Sequence, residues 1–510
     1  MLRRPWARAE GALLALLLAL LVGVTYWQFV GEYFHGGDTW PHIWTSRVSG
    51  PGDLARVLSE PLLTGTVFPD TIAHFYRPVS SLSYALDYAV FGMDAFAFHL
   101  TDLLIHVAAT LLLCWLLTWA GATGPLAAAG AATFALHPVM VSVVPSLPRR
   151  HDSLAAGAMF GSLGLLCWAC THGRGRRLAL AVVGALALFV FAAWAKEVGY
   201  VEVLLVAPVL VASSLANRLP LARCRARSAT LAVACLGTAA ALLVARVAVL
   251  GGIGGYANAP SPLVNVDVAI SDYVQYLAWP FEAVVPRSPR GWLEVFGGLL
   301  IGSAVPWLFA SPRFRMTIGL GWLWLLVLLA FQVGTRSLAP YQMYTAIAGL
   351  AFLVAGVLGA SLDLLRLARR RVEAAAALVG LVAVAVLVGG VLRASALLTR
   401  YEDWHRAGEL ARQFLATVRP CLESLPPGAA VEFERYPGGI VDGTSNFVLL
   451  QPGILGDYSV GPAIYLTVPE RHDLQITARS AYDLPRFPDA MRVRCEGNGA
   501  TWRLTGEYQL

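Results

Sequence analysis

Charged side chains are scarce in this sequence. Only 14% of its 510 residues are Asp, Glu, Lys or Arg, whereas a soluble globular protein carries about 25%. Lysine is almost absent, because Lys196 stands alone against 37 arginines. So low a content of charged residues excludes an ordinary soluble protein. The scarcity of lysine draws attention to the one position where a lysine is used.

Apolar residues occupy the chain instead. They make up 57% of it and recur in runs of about twenty residues, the length of helix that crosses roughly 30 Å of hydrocarbon. These runs predict about eleven transmembrane helices, near 11–30, 97–119, 125–145, 153–171, 178–195, 198–216, 229–250, 291–310, 316–333, 341–359 and 372–392. The predicted fold class is a polytopic α-helical membrane protein.

Arginine predicts the orientation of these helices. Short cytoplasmic loops carry an excess of basic residues, and arginines concentrate at the N-terminus and in the segments 171–177, 217–227, 311–315 and 366–371. The N-terminus is therefore predicted in the cytoplasm, with residues 31–96 and the chain after about 393 outside. The net charge of +6 follows mostly from this topology and does not indicate a nucleic-acid partner.

Two external segments are long enough to fold. The first external loop, 31–96, contains FYRPVSSLSYALDYAVFGM (75–93), whose apolar spacing predicts an amphipathic helix lying in the membrane interface. The chain after 396 starts with a helical stretch (402–418) and then alternates in AAVEFERY and AIYLTV as strands do. We predict a membrane domain at 1–395 and a small external α/β domain at 396–510.

Cysteine provides one further prediction. Of seven cysteines, Cys167 and Cys170 have CxxC spacing but lie in a predicted span, which is no place for a metal-binding pair. Cys421 and Cys495 are the two cysteines of the predicted external domain, where oxidation is permitted. We predict a disulfide between them, although their separation in space is not given by sequence.

Ionisable residues inside predicted spans are functional candidates, because their burial in lipid is costly. His99, Asp102 and His106 are spaced i, i+3 and i+7 and share one helix face. Two interpretations stay open: a helix-packing network in which Asp102 bonds a histidine, or a metal or proton site.

Two charged clusters are predicted at the outer membrane surface. Lys196 and Glu197 either satisfy each other or present a compact ammonium to a phosphate or a hydroxyl. The second cluster is PRRHD, which contains Arg149, Arg150 and Asp152. Two adjacent arginines on the outer side run against the cytoplasmic preference of basic residues, so lipid head groups or the phosphate of a specific lipid are expected there.

Taken in order, these stretches resemble the membrane half of the GT-C glycosyltransferases. The similarity runs through YRPVSSLSYALDYAVFGMDAFAFHLTDLLIHVAATLLL, FALHPVMVSVVPSLPRRHD and WAKEVGYVEVLLV. Within the superfamily, the sequence most resembles proteins related to the protein O-mannosyltransferases. It covers about residues 30–215 and weakens towards 360, where TRSLAPYQMYTAIAG (335–349) faintly resembles a family segment. In those proteins the membrane half often precedes tetratricopeptide repeats, but no tetratricopeptide period is present in this sequence beyond residue 400.

The resemblance implies an enzyme that takes a sugar from a polyprenyl-phosphate donor and transfers it to an acceptor on the outer face. Its catalytic carboxylate belongs to the first external loop, where HGGDTW offers Asp38; many relatives carry two neighbouring acids there. An acceptor hydroxyl needs such a base, and single displacement would invert the anomeric carbon. The expected substrate-binding residues are Arg77, Arg149, Arg150, Asp152, Lys196, Glu197 and Arg336. The positive charges of the four arginines and of Lys196 would stabilise the departing phosphate.

The sequence leaves the acceptor, the metal requirement and two rival functions open. The acceptor is a protein, a glycan or a lipid, and a divalent metal ion is possible but not required. Asp38 in a simple solvated turn would fit a catalytically silent scaffold or receptor that binds a partner through the C-terminal domain. A transporter or flippase would need paired repeats with broken helices, which the sequence does not display. The expected location is a bacterial inner (plasma) membrane.

Overall fold

Helices dominate the computed structural model, which describes residues 8–66, 68–217, 221–256, 266–281, 289–333, 338–367, 370–398, 403–440, 453–498 and 501–510. The α-helices of these ranges are α1 (Arg8–Tyr26), α2 (Thr39–Ser46), α3 (Pro51–Ser59), α4 (Phe68–Thr71), α5 (Pro78–Phe91), α6 (Ala95–Trp119), α7 (Gly124–Ala135), α8 (Arg150–His172), α9 (Gly175–Ala195), α10 (Glu202–Ala216), α11 (Leu221–Leu250), α12 (Val266–Ala278), α13 (Pro289–Phe309), α14 (Pro312–Gln332), α15 (Ala348–Leu367), α16 (Arg371–Leu398), α17 (Asp403–Ser424) and α18 (Val460–Thr467). The strands are β1 (Ala73–His74), β2 (Gly255–Tyr256), β3 (Ala430–Ile440), β4 (Gln475–Leu484), β5 (Ala490–Asn498) and β6 (Thr501–Gln509).

The chain is an integral membrane protein, and the predicted polytopic helical fold is confirmed. Within the described residues, nine helices are long and apolar enough to cross a membrane. The predicted spans at 125–145 and 291–310 correspond to shorter helices: α7 has 12 residues, and the apolar part of α13 is Leu293–Phe309. The count of eleven stays a prediction.

Prolines explain where two helices depart from the predicted spans. α7 ends before His137, which adopts an extended conformation (φ −60°, ψ 137°) ahead of Pro138, as residues preceding proline commonly do. The span predicted at 341–359 begins later, at Ala348, because Pro340–Met343 forms a 3-10 turn.

Small residues let the helices of the bundle approach closely. A Cβ at Gly130 would run into the carbonyl oxygen of Ala351, and a Cβ at Gly157 would lie 3.3 Å from the Cβ of Ala109. Such contacts bring α7 against α15 and α8 against α6, which is how helices pack when lipid removes most of the hydrophobic drive to associate. α8 is the central helix, since most of its side chains are buried.

The first loop, 31–96, folds into α2 to α5 and pairs β1 with β2. The predicted helix at 75–93 is confirmed as α5 and has two distinct faces. Leu86 and Val90 are 64% and 62% exposed, whereas Tyr84 and Asp87 are buried. Placement of the apolar face in the membrane interface stays a prediction.

The C-terminal β-sheet domain packs α17 against a four-stranded sheet of order β4-β3-β6-β5. β3 is parallel to β4 and β6, and β5 and β6 form an antiparallel pair. Helix α17 buries Leu410, Ala411 and Phe414, and the Phe414 ring lies 6.2 Å from that of Phe433 in β3.

One strand prediction in this domain is wrong. All of AIYLTV except its last residue belongs to the helix α18, which buries Val460, Ala463 and Ile464 at i, i+3 and i+4. A short apolar run fits both the strand and the helix period, so tertiary packing decides between them. Here α18 lies between α2 and β4, and a helix fills that space.

The predicted disulfide is confirmed: Cys421 of α17 and Cys495 of β5 are joined across 74 residues, with their Cα atoms 6.4 Å apart. A cross-link that closes so long a loop removes entropy from the unfolded chain, an effect worth about 4 kcal/mol in the simplest model.

We therefore expect Cys421→Ser/Cys495→Ser to lower the unfolding free energy of this domain by about 2–4 kcal/mol, measured by denaturant melts. Reduced wild-type protein is the control and should match the variant; equal stability of oxidised and reduced protein would contradict the prediction.

Candidate active site

The HGGDTW segment forms a tight turn that leads into α2. Gly36 has φ +89°, a conformation that glycine adopts without strain. The amide of Thr39 donates to the Gly36 carbonyl at 3.0 Å, and the hydroxyl of Thr39 donates to the His35 carbonyl. The turn is therefore built around its glycine, and it presents Asp38 immediately before the first residue of α2.

The Asp38 carboxylate faces a cavity of about 320 Å³ lined by Arg149, Tyr341 and Tyr458, among others. Tyr458 donates its hydroxyl to Oδ1, and Nη2 of Arg149 lies 3.2 Å from Oδ2. Burial would raise the pKa of Asp38, but the Arg149 charge and the Tyr458 hydrogen bond outweigh it, so the pKa falls below its usual range. Asp38 is therefore an ionised carboxylate at neutral pH.

Two cations share one aromatic ring at the wall of this cavity. The guanidinium of Arg149 lies 3.8 Å from the centre of the Tyr341 ring, and Nζ of Lys196 lies 5.3 Å from it. Lys196 also donates to Asp152. Burial is the largest influence on Lys196 and, with the nearby Arg77, lowers its pKa to about 8 even though Asp152 opposes the shift.

A second group of charges continues from Asp152. His151 Nε2 lies 3.3 Å from Oδ2 of Asp152 and 3.3 Å from Nη1 of Arg77. Arg77 in turn donates to Glu197 at 2.6 Å, and Arg246 of α11 lies 3.1 Å from the same carboxylate. Six of the predicted residues thus belong to one network, in which the Tyr341 ring connects Arg149 to Lys196 and His151 connects Asp152 to Arg77. These six are Asp38, Arg149, Lys196, Asp152, Arg77 and Glu197.

Arg150 does not join this network, although it was predicted alongside Arg149. Its fully buried guanidinium lies 2.6 Å from Asp87, donates to Asp102, and donates to the Phe98 carbonyl at 3.1 Å. Successive residues of a helix point to different sides, so the two arginines serve different places. Arg150 is fully occupied in holding α5, α6 and α8 together. Arg336 lies outside the described residues.

The metal interpretation of α6 is not supported by the geometry. His99, Asp102 and His106 are all buried, but each has its own surroundings. His99 stacks on His35 with ring centres 6.1 Å apart, Asp102 binds Arg150, and Nδ1 of His106 lies 2.7 Å from the Tyr344 hydroxyl. In the part of the chain that the structure describes, no three His, Cys, Asp or Glu side chains are grouped as a metal ion requires.

Four residues of the site were missed by sequence reasoning: His151, Tyr341, Tyr458 and Arg246. His151 lies within the quoted PRRHD but was not singled out there. Arg246 had a signal, because it is an ionisable residue inside the predicted span 229–250. Tyr341 lies in the quoted segment 335–349 without any local mark of its role. Tyr458 comes from the C-terminal domain, and nothing in its neighbourhood along the chain connects it to Asp38.

The bundle with its small β-sheet domain has the fold of the GT-C glycosyltransferases, as the sequence resemblance implied. An oligosaccharyltransferase from Archaeoglobus fulgidus, solved with a tethered acceptor peptide containing the NVT sequon, superposes with a TM-score of 0.51 at 12% identity, over 94% of this chain and 64% of that one. ArnT from Cupriavidus metallidurans bound to undecaprenyl phosphate matches at a TM-score of 0.44 and 15% identity, over 92% of this chain and 90% of that one.

Similarity to curated proteins is confined to a short stretch. Protein O-mannosyl-transferase tmtc2 of Xenopus laevis is 31% identical over 105 residues, and human TMTC2 is 30% identical over the same length. The stretch is 20% of this chain, and it spans 12% of the length of those relatives. No family model matches the chain.

Proposed function

We propose that this protein is a membrane glycosyltransferase that moves a sugar from a polyprenyl-phosphate donor to an acceptor on the outer face of the membrane. The observation that carries the proposal is an ionised carboxylate, Asp38, facing a cavity that Arg149 and Tyr341 also line, with Lys196 against the same Tyr341 ring. A transferase of this kind needs both elements, a base for the acceptor and fixed positive charge for the leaving phosphate.

In the proposed reaction Asp38 is the base. As the acceptor oxygen forms its bond to the anomeric carbon, the bond from that carbon to the phosphate oxygen breaks, and the acceptor proton passes to Asp38. A carboxylate has about four lone-pair sites, so the contacts of Asp38 with Tyr458 and Arg149 leave room for an acceptor hydroxyl. The forming bond to the acceptor oxygen and the breaking bond to the phosphate oxygen lie on opposite sides of the anomeric carbon, so the transfer inverts its configuration.

The donor phosphate is assigned to the cations around Tyr341. In the described network four cations, Arg77, Arg149, Lys196 and Arg246, face three carboxylates, Asp38, Asp152 and Glu197. Since burial lowers the pKa of the adjacent His42 to about 4, that imidazole is neutral and adds no charge at neutral pH. The surplus positive charge favours an arriving phosphate in a partly desolvated site.

Orientation and acceptor complete the proposal. The arginine distribution supports the outer side for this end of the bundle, and we propose a bacterial inner membrane as the location. The acceptor is a protein, glycan or lipid bearing a nucleophilic group.

Release of polyprenyl phosphate tests the proposal. Purified protein in nanodiscs is incubated with polyprenyl-phosphate hexoses and pentoses and a crude envelope extract as acceptor. We expect release from at least one donor, together with transfer of its sugar. Absence of release from every donor would contradict the proposal and would favour a catalytically silent scaffold.

A pH dependence follows from Lys196. Because its pKa is about 8, Lys196 is charged below that pH and loses its charge as the pH rises through it. We expect kcat/KM to fall above about pH 8, since this ratio reports ionisations of the free enzyme. Lys196→Arg stays charged and should shift this alkaline limb to higher pH, whatever its effect on the maximal rate. An unchanged limb in Lys196→Arg would assign the ionisation to another group.

A further inference from the structure

The Asp38 carboxylate is held partly by a residue of the C-terminal domain. Tyr458 lies 420 residues after Asp38 along the chain, and its hydroxyl donates to Oδ1. The neighbouring backbone is also close, since a Cβ at Gly37 would lie 3.4 Å from the amide nitrogen of Gly456. The turn that carries Asp38 and the segment that carries Tyr458 therefore touch directly.

Tyr458 is held firmly from both sides. Upstream, the amide of Ile454 donates to the carbonyl of Gly438, a residue of β3, at 2.8 Å. Downstream, Ser459 accepts from the Gly456 amide at 2.7 Å through its hydroxyl, and α18 begins at the next residue. The Tyr458 ring lies 5.6 Å from that of Phe68 in the first loop. Its ring position thus does not depend on its hydroxyl.

The same domain is docked on the first loop by packing away from Asp38. The Trp44 ring of α2 lies 5.0 Å from Tyr465 of α18. Phe34, Trp40 and Ile43 share one hydrophobic core with the C-terminal sheet. The hydrogen bond from Tyr458 to Asp38 is therefore additional to an interface that packing already forms.

We propose that Tyr458 is a positioning residue of the active site, so that the C-terminal domain completes the site by fixing the Asp38 carboxylate. The proposal rests on the function proposed above. Arg149 contacts both Asp38 and the Tyr341 ring, and a phosphate bound there competes for its guanidinium. Tyr458 is then the partner that keeps the carboxylate oriented towards the acceptor while Arg149 serves the donor.

A role of this kind has a consequence for pH dependence. The groups that act on Asp38 are Arg149, Tyr458, His42 and Arg77, and His35 and Tyr341 line the same cavity. Burial raises the pKa of Asp38, whereas Arg149 and Tyr458 lower it. Removing the Tyr458 hydroxyl therefore raises this pKa, and the base becomes protonated at a higher pH.

The test compares Tyr458→Phe with Tyr465→Phe in the full-length protein. Tyr465 is the matched control, because its hydroxyl donates to Leu474 at 2.9 Å within the same domain. For Tyr458→Phe we expect kcat/KM for polyprenyl-phosphate release to fall about ten- to a hundredfold, as for a lost hydrogen bond to a charged group. The acid limb of its pH profile should move to higher pH, and Tyr465→Phe should change neither quantity.

Three outcomes would overturn the proposal: an unshifted acid limb in Tyr458→Phe, equal losses in both variants, or failure of Tyr458→Phe alone to fold. An infrared titration of the Asp38 carboxyl band, assigned by its loss in Asp38→Asn, provides a readout that needs no activity. It should titrate at higher pH in Tyr458→Phe than in the wild type, and an unchanged midpoint would contradict the proposal. Absence of release from wild-type protein would instead contradict the proposed function, so the two failures are distinguishable.

Discussion

Asp38→Asn should lower the rate of polyprenyl-phosphate release by about 10²–10⁴-fold, the range that a positioned general base contributes. Asparagine keeps the size of the side chain, and its amide oxygen can accept from Arg149 while its NH2 group donates to the Tyr458 hydroxyl oxygen, but it cannot take the acceptor proton. The Asp38 side chain is 21% exposed and the Arg149 side chain is 24% exposed. Water therefore screens the Arg149 charge, which has no carboxylate partner at position 38 in the variant. We therefore expect the variant to fold and melt nearly as the wild type does.

The matched control for this experiment is Asp70→Asn, which removes an exposed carboxylate of α4 in the same loop. It should leave the rate within a factor of two or so of the wild type, since surface substitutions away from a site have small effects. If Asp38→Asn retained most of the activity, the base would lie elsewhere. Asp152 would be tested next, because Glu197 is held by both Arg77 and Arg246.

Arg150→Met should be the most destabilising of the substitutions considered, at about 3–5 kcal/mol of unfolding free energy. The side chains of Arg150, Asp87 and Asp102 are 0%, 5% and 3% exposed, so removing the guanidinium leaves two buried carboxylates without their cation. Loss of one partner from a buried ion pair costs far more than the pair itself contributes. The measurement is the melting temperature in detergent, together with the yield of folded protein.

Arg149→Met is the control for Arg150→Met, because the two arginines are adjacent and chemically identical. Arg149 is partly exposed, so its loss should lower activity with little change in melting temperature, the reverse of the pattern for Arg150. A triple variant, Arg150→Met/Asp87→Asn/Asp102→Asn, should recover part of the lost stability, since no carboxylate then lacks its cation. Equal melting temperatures for Arg149→Met and Arg150→Met would contradict the separation of roles.

Much of the architecture was accessible from sequence because it depends on short-range patterns. An apolar run of span length has few alternatives to a transmembrane helix, and the fold class followed from such runs. The helical spacing of 75–93 likewise predicted α5. Patterns failed where two periods fitted the same residues: AIYLTV alternates like a strand, yet Val460, Ala463 and Ile464 also define a helix face.

The candidate site divides in the same way. Composition and order along the chain marked Arg149, Lys196 and Glu197 individually, because a charge near an apolar run is costly and therefore conspicuous. The resemblance to the GT-C glycosyltransferases indicated Asp38. Which of these charges meet could not be derived, since side-chain direction depends on how helices rotate against each other. Tertiary structure separated Arg149 from Arg150, and it dispersed His99, Asp102 and His106 into different contacts.

The sequence by itself determined that this protein spans a membrane, because lipid imposes a length and a polarity that residues display locally. Its motifs, taken in order, also resemble those of the GT-C glycosyltransferases. Only the tertiary structure decided what surrounds Asp38. Tyr458 reaches it from 420 residues away, by the docking of a separate domain on the first loop. A contact of that kind depends on the shapes of two folded surfaces, and no local pattern of residues encodes it.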